Sequence, residues 1–193
     1  MQQLEDIIIN YVLGCLWFVL PAYFANSTPT VFGGGPPIDG GRLYKDGKPL
    51  LGPGKTWRGL YAGIFFGTLI GVIQGLTFED DLLKATIRAL LISFGALLGD
   101  MIGSFIKRRK GLKRGQSFLF MDQLGFIIVG TLLVILFFPL TIEGVIIEIF
   151  NQTITYDIII VLSYLLLLLP LTFVVHILAN LFWYLLGKQD VPL

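Results

Sequence analysis

The chain has 193 residues, of which 55% are hydrophobic and 14% charged, and its mean hydropathy is +0.81. This composition excludes an ordinary soluble domain, because apolar stretches in soluble domains are interrupted by charge. The net charge of +1 carries no information about partners, and the lone Cys15 excludes a disulfide within the chain and a cysteine zinc site.

Five apolar stretches are long enough to cross a bilayer, whose core of about 30 Å requires about 20 helical residues. The predicted spans cover residues 7–25, 59–78, 85–106, 124–142 and 158–186. Lys84 and Arg88 are placed to snorkel at the start of the third span, and Pro170 is expected to kink or tilt the last. The sequence therefore predicts an all-α integral membrane protein, a single domain over residues 1–193 with about five transmembrane helices. The first span is expected to be retained, because acidic residues precede it and no small-residue cleavage site follows it.

The positive charges lie in two of the connecting segments. Positively charged flanks stay on the cytoplasmic side of a membrane, so these segments, residues 26–58 and 107–123, are predicted to be cytoplasmic loops. The intervening segments are acidic, which places the N-terminus outside and the C-terminus inside. The loop cations are Arg42, Lys45, Lys48, Lys55 and Arg58, then Lys107, Arg108, Arg109, Lys110, Lys113 and Arg114.

Glycines recur at every fourth position of the second span, from Gly59 to Gly75, and again from Gly95 to Gly103 in the third. Such rows let helix backbones approach closely in lipid, where packing replaces the hydrophobic effect as the force that joins helices. Close packing is favoured over a ligand role. It would bring the cytoplasmic ends of the two spans, with Lys55, Arg58 and Asp100, near one another.

Asp100 is an acidic residue inside the third span, where a carboxylate is costly and indicates function. Gly103, Ser104, Lys107 and Arg108 follow it at helical spacing, so that a carboxylate, a hydroxyl and two cations share one face. An internal ion pair between Asp100 and Lys107, or a snorkelling anchor, is the structural alternative.

A second acid, Asp122, lies where the chain re-enters the membrane before the fourth span. If the two helices are neighbours, Asp100 and Asp122 can hold Mg²⁺, which takes one or two carboxylates together with water and substrate phosphate oxygens. The flanking cations would then bind the remaining phosphate charge. For Arg109, Lys110 and Arg114 the sequence favours a simpler role as positive-inside anchors or an anionic-lipid patch.

The first loop ends in Gly52-Pro53-Gly54-Lys55-Thr56-Trp57-Arg58-Gly59. The spacing does not fit a P-loop, and no strand is predicted before it. Backbone amides at a helix start, together with Lys55, Thr56 and Arg58, still form an anion site. A turn-rich anchoring loop is the alternative.

His176 is expected to form a hydrogen bond between helices rather than to relay protons, since no acid lies at its depth. With a single histidine in the chain, triad chemistry is not expected.

Taken in order, these motifs resemble the CDP-archaeol synthases, membrane CTP:lipid-phosphate cytidylyltransferases similar to CDP-diacylglycerol synthases. The run Gly52–Gly59 resembles the family's Pro-x-Lys-Thr-x-x-Gly element, and Gly99–Arg108 resembles its Gly-Asp…Ser-x-x-Lys-Arg element. Asp122 matches the acid that ends the following loop. Asn26, Pro29 and the segment 33–54 also resemble the archaeol-type subfamily.

The resemblance implies an enzyme of the cell membrane that joins CTP to an unsaturated isoprenoid ether glycerol phosphate, with Mg²⁺ as cofactor and the active site on the cytoplasmic side. It implies catalytic roles for Asp100, Asp122 and Lys107, the two acids being the metal ligands. No nucleic-acid partner is expected. The implied nucleotide-binding residues are Asn26, Pro29, Lys55, Thr56, Arg58, Ser104, Arg108 and Lys113.

The loop departs from the bacterial CDP-diacylglycerol synthases, which end it with Asp-Arg-x-Asp. Here it ends Asp122-Gln123-Leu124-Gly125, so the last carboxylate is missing. This favours a single Mg²⁺, or a second ion with fewer protein ligands.

Two other functions are weighed against this one. A CDP-alcohol phosphotransferase would carry a long Asp-rich helix signature, of which Asp39-Gly40-Gly41-Arg42 is only a fragment. A small membrane transporter would distribute polar residues across the membrane or show two matching halves with broken helices, and the sequence shows neither pattern.

Overall fold

A computed structural model describes the protein at residues 2–77, 81–112, 118–137, 145–149, 152–156, 163–174 and 181, with the backbone alone described at 2–4, 6–10, 119–123 and in the strands. The helices are α1 (Gln2–Phe32), α2 (Trp57–Thr77), α3 (Leu82–Arg109) and α4 (Leu119–Phe137), followed by α5 (Ser163–Val174). Between α4 and α5, strands β1 (Val145–Ile149) and β2 (Gln152–Tyr156) pair antiparallel.

The helices coincide with the predicted spans most closely in the middle of the chain. Of the described helices, α2 and α3 are long and apolar enough to cross a membrane. The first helix runs beyond the predicted end at residue 25 to Phe32, passing through Pro29. The fourth begins earlier than predicted, so that Asp122 lies in its first turn. The sequence did not predict the β-hairpin, which occupies the connection before the last span.

The glycine row of α2 packs against α3, as predicted. A Cβ added at Gly67 would overlap the hydroxyl of Ser93, and one at Gly71 would overlap the Cβ of Ala89. The contact at Gly63 also involves α1, where a Cβ would lie 2.7 Å from the carbonyl oxygen of Ala25. Each glycine removes the side chain that would otherwise hold the backbones apart.

Helices α3 and α4 run antiparallel with their backbones in contact. A Cβ at Gly95 would lie 2.6 Å from the Cα of Gly130, and one at Gly99 would overlap the carbonyl oxygen of Gly125. Aromatic and aliphatic side chains from α1, α3, α4 and α5 fill the core beside this crossing, including Phe18, Ile92, Phe126, Tyr164 and Leu168.

The prediction that Arg88 snorkels to the membrane surface is wrong. Its side chain is only 1% exposed, and Nη2 donates to Oε1 of Gln74 on α2 at 3.3 Å. Gln74 in turn donates to the carbonyl oxygen of Trp17 on α1 at 2.8 Å. The guanidinium faces the bundle interior, where Gln74 of α2 supplies a polar partner. Lys84 is exposed and pairs with Asp81 at 3.3 Å.

Candidate functional site

The last residues of the first loop hold Lys55 in place through backbone hydrogen bonds. The Ile38 N–H donates to the carbonyl of Lys55 at 2.8 Å, and the Lys55 N–H donates to the carbonyl of Gly52 at 3.2 Å. Thr56 then caps α2, because its Oγ1 accepts the N–H of Gly59 at 3.2 Å. This cap satisfies one of the donors left open at a helix start.

Asp39 organises the same loop from inside. Its carboxylate is 7% exposed and accepts three backbone N–H groups, from Gly41 at 3.0 Å, Leu51 at 2.8 Å and Gly52 at 3.0 Å. Burial acts to raise the pKa of Asp39, but the N–H donors of Gly52, Leu51 and Gly41 outweigh it and hold the pKa below the ordinary value of 3.8. The loop therefore closes around an ionised carboxylate.

Lys55 meets Asp100 at the mouth of the bundle. Its Nζ lies 2.5 Å from Oδ2 of Asp100, and the two side chains are 26% and 30% exposed. The pair lines a small cleft, together with Pro29 from α1, the cap residue Thr56 just before α2, and Leu60 from α2. Three helices and one loop thus converge on a small cleft that carries one positive and one negative charge.

The remaining α3 residues continue the predicted stripe towards the end of the helix. Ser104 and Lys107 are half-buried. Arg108 faces the first loop, since a Cβ at Gly52 would lie 3.4 Å from its Nε, and its Nη1 donates to the carbonyl of Leu112 at 2.5 Å. Gly52 has a φ of +96°, a conformation that favours glycine and lets the backbone approach the guanidinium.

The other predicted site residues occupy varied positions. Asn26 is half-buried on α1, one turn before Pro29, and Arg58 is exposed in the first turn of α2. Lys113 and His176 lie outside the described residues, as does Arg114. The structure therefore brings Pro29, Lys55, Thr56 and Asp100 together in one cleft, with Arg108 against the adjoining loop.

The backbone of Asp122 lies close to the Asp100 level of the bundle. Gly125, one helical turn after Asp122, contacts Gly99, the residue before Asp100. Since a turn of helix rises about 5.4 Å, the α4 backbone carries Asp122 to within about one turn of that level. The side chain of Asp122 is outside the described part of the structure.

Three residues that contribute to this region were not among the predicted site residues: Asp39, Asp46 and Arg109. Asp39-Gly40-Gly41 has the sequence of an Asx-turn, in which the carboxylate accepts an N–H two residues on, so its structural role could have been predicted. The sequence predicts Arg109 to be an anchor, yet only 19% of its side chain is exposed, and it pairs with Asp46.

Comparison with known proteins gives a consistent result. A family model described as CarS-like CDP-archaeol synthase matches residues 8–193. A CDP-archaeol synthase of Pyrococcus abyssi is 42% identical over 187 residues, which cover 95% of this chain and 99% of that protein. One of Thermococcus kodakarensis is 51% identical over 123 residues, covering 62% of this chain and 72% of the relative.

A solved structure of an intramembrane enzyme for archaeal membrane lipids biosynthesis has the same fold. It is 32% identical, superposes with a TM-score of 0.66, and the match covers 86% of this chain and 92% of that one. The predicted resemblance is confirmed, and with it the enzyme class, a CTP:lipid-phosphate cytidylyltransferase. Since the family model spans all but the first seven residues, the chain belongs to the CDP-archaeol synthase family.

Proposed function

We propose that the protein joins CTP to an unsaturated, ether-linked isoprenoid glycerol phosphate, giving a CDP-archaeol-type lipid and pyrophosphate, with Mg²⁺ as cofactor. The reaction would take place on the cytoplasmic side of a multi-pass membrane domain formed by the whole chain, between loops 26–58 and 107–123. The observation that carries the proposal is the meeting of Lys55 and Asp100 at 2.5 Å in a cleft where three helices converge.

The Lys55–Asp100 pair suits a site that receives a cation and a polyphosphate together. Each charge neutralises the other before substrate binds. Because both side chains are partly exposed, such a pair stabilises the fold by only about 1 kcal/mol or less. Exchange of partners therefore costs little: Lys55 would move to a phosphate oxygen while the Asp100 carboxylate turns to the cation.

The residues fit a magnesium ion in their donor chemistry. Asp100 presents a carboxylate to the cleft, and carboxylate oxygens are ligands that Mg²⁺ prefers. Asp122 is the proposed second ligand, and the Gly99–Gly125 contact supports it, because the contact holds the first turn of α4 against α3. Bound Mg²⁺ would supply charge neutralisation on the triphosphate and on the departing pyrophosphate.

The remaining roles follow from the reaction. An oxygen of the lipid phosphate forms a bond to the α-phosphorus of CTP, the bond from that phosphorus to the bridging oxygen breaks, and pyrophosphate leaves with the electron pair. A phosphate monoester is largely ionised at neutral pH, so no side chain need remove a proton. Catalysis then consists of positioning and electrostatic stabilisation.

Some of the cations in each loop are the proposed ligands of the triphosphate. Lys107 would stabilise the charge that develops during transfer, and Arg108, directed towards Gly52, would bind phosphate oxygens where the two loops meet. The other proposed nucleotide-binding residues are Asn26, Pro29, Lys55, Thr56, Arg58, Ser104 and Lys113.

The test measures pyrophosphate release by purified protein in detergent with CTP, Mg²⁺ and an unsaturated isoprenoid glycerol phosphate. Lys55→Ala and Asp100→Asn should each lower kcat/KM by at least about a hundredfold, since both act on charge in the transition state. Asp122→Asn should behave like Asp100→Asn, and both should raise the Mg²⁺ concentration needed for half-maximal rate. ATP and GTP replace CTP to test base choice.

Helix α3 offers a matched control, because a second lysine–aspartate pair, Lys84 with Asp81 at 3.3 Å, lies at its other end. Asp81 is 19 residues from Asp100, about 28 Å along the helix. Lys84→Ala and Asp81→Asn remove the same charges and should keep wild-type rates. Unchanged pyrophosphate release in both Asp100→Asn and Asp122→Asn would contradict the proposed site.

A further inference from the structure

Arg109, the last residue of α3, forms hydrogen bonds with a hairpin in the first loop. The hairpin closes through Leu43 and Pro49, which form an isolated antiparallel bridge, and through the Tyr44 N–H, which donates to the Lys48 carbonyl at 2.8 Å. Arg109 Nη1 donates to Oδ1 of Asp46 at 2.5 Å, and Nη2 donates to the carbonyl of Lys48 at 3.3 Å and to that of Pro49.

Arg109 also contacts two aromatic rings. The Arg109 guanidinium lies 4.6 Å from the ring centroid of Tyr44 and 5.0 Å from that of Phe105, and these two rings meet edge to face at 5.5 Å. Lys48 in turn binds the backbone of Arg109, since its Nζ donates to the Arg109 carbonyl at 3.0 Å. A planar guanidinium can satisfy several carbonyl and carboxylate acceptors while stacking on rings, which a lysine cannot do.

These contacts do not fit a role as a membrane-surface anchor. An anchor would keep its charge in water or at the lipid headgroups, whereas Arg109 is 19% exposed and ion-paired within the protein. The next residue, Lys110, is exposed, with its Nζ 4.1 Å from the ring centroid of Phe118. Adjacent cations in one basic run thus have different surroundings.

The hairpin held by Arg109 is followed along the chain by the loop residues that line the cleft. Leu50 returns to the hairpin base, where its N–H donates to the Arg42 carbonyl at 3.0 Å. The next two residues donate to the buried carboxylate of Asp39, and the Gly52 carbonyl accepts the N–H of Lys55 at 3.2 Å. A continuous run of hydrogen bonds therefore extends from Arg109 to the lysine that faces Asp100.

We propose that Arg109 is a positioning residue, which sets the place of Lys55 for nucleotide binding by fixing the 42–52 hairpin to the end of α3. The inference rests on the proposed function, in which Lys55 binds the triphosphate. Arg109 does not line the cleft. Its effect on the reaction is transmitted through the loop, and should fall on CTP rather than on the lipid substrate.

The test compares Arg109→Ala and Arg109→Lys with Lys110→Ala, a matched control that removes the adjacent cation. In the full-length protein, Arg109→Ala should raise KM for CTP about tenfold or more, since displacement of a binding group by about 1 Å can cost a hundredfold. KM for the lipid should stay near its wild-type value, whereas Tm should fall by a few degrees, because the lost hydrogen bonds also stabilise the fold. Arg109→Lys should remain closer to Arg109→Ala than to wild type, because lysine lacks the planar fork.

Hydrogen exchange, measured without substrate, reports on the loop itself. In Arg109→Ala the amides of residues 42–52 should exchange faster than in wild type, and in Lys110→Ala they should not. Wild-type exchange and wild-type KM for CTP in Arg109→Ala would overturn the proposal. So would an equal rise in the KM values for CTP and for the lipid, which would make Arg109 a residue of general stability.

The failure of the two proposals can be told apart. A wild-type protein that releases no pyrophosphate from CTP would refute the proposed function. Faster exchange in Arg109→Ala alone would still show that Arg109 holds the loop, and unchanged exchange would refute that as well.

Discussion

The glycine pair where α3 crosses α4 gives a prediction with an internal control. A Cβ at Gly99 would overlap the carbonyl oxygen of Gly125 and lie 2.8 Å from its carbonyl carbon and 3.0 Å from the Cα of Phe126. All three atoms belong to backbone and cannot turn aside. A Cβ at Gly125, by contrast, would lie 3.4 Å from the carbonyl oxygen of Gly99, an ordinary van der Waals distance.

The two Gly→Ala changes should therefore have opposite outcomes. Gly99→Ala must push the helices apart by about 1 Å to reach normal contact, and overpacking of this kind costs about 1–3 kcal/mol. The gain in helix propensity from alanine, about 1 kcal/mol, offsets part of that cost. Gly125→Ala receives the same gain without the clash, so its free energy of unfolding should be unchanged or slightly increased.

Activity should separate the variants further, because Gly99 precedes Asp100. Moving α3 from α4 by about 1 Å would change the relation of Asp100 to Asp122, a displacement that can lower kcat/KM about a hundredfold. Thermal unfolding in detergent and CTP-dependent pyrophosphate release measure the two effects. Equal Tm values and equal rates in Gly99→Ala and Gly125→Ala would refute the reasoning.

Three further predictions follow from other parts of the structure. Asp39→Asn should destabilise the protein at pH 7 by about 1.5–3 kcal/mol, because the charge-assisted hydrogen bonds of the carboxylate are lost. Since the pKa of Asp39 is lowered in the fold, the difference in free energy of unfolding between wild type and variant should shrink as pH falls below 3.8. A difference that does not change with pH would contradict this. Gln74→Leu removes the acceptor of Arg88 Nη2 and should lower the free energy of unfolding by about 1–3 kcal/mol, whereas unaltered thermal unfolding would argue against that contact. In a Cys15→Ser background, Lys45→Cys should react with an impermeant thiol reagent only from the cytoplasmic side, and labelling of intact cells would overturn the orientation.

The parts of the fold that the sequence predicts best are those governed by length and by small residues. Continuous apolar runs located α2 and α3, because a bilayer span imposes a length that a soluble helix lacks. The glycine rows predicted the close approach of these helices, and that approach brings Lys55 to Asp100. Both inferences depend on spacing within one helix.

Contacts between segments that are distant in the sequence could not be predicted from residue spacing. The helical stripe predicts Lys107 as an alternative partner of Asp100, but it does not indicate the ion pair that Lys55, separated from Asp100 by 45 residues, forms with it. The positions of Arg88 and Arg109 in the chain predict that both lie at the membrane surface. Their actual surroundings depend on Gln74 from α2 and on the first-loop hairpin, which no periodicity indicates.

The buried link of Arg88, Gln74 and Trp17 has a consequence for how the helices are set against one another. Lipid tails and the protein interior are similarly apolar, so apolar faces alone do little to fix the rotation of a helix about its own axis. A hydrogen-bonded tie across α1, α2 and α3 is intolerant of such rotation, because turning any one helix would strand polar atoms in hydrocarbon. Arg88 lies 12 residues before Asp100, about 18 Å along α3. By fixing the rotation of α3 about its axis, the hydrogen bonds at Arg88 also set the direction in which the Asp100 carboxylate points at the other end of the bundle.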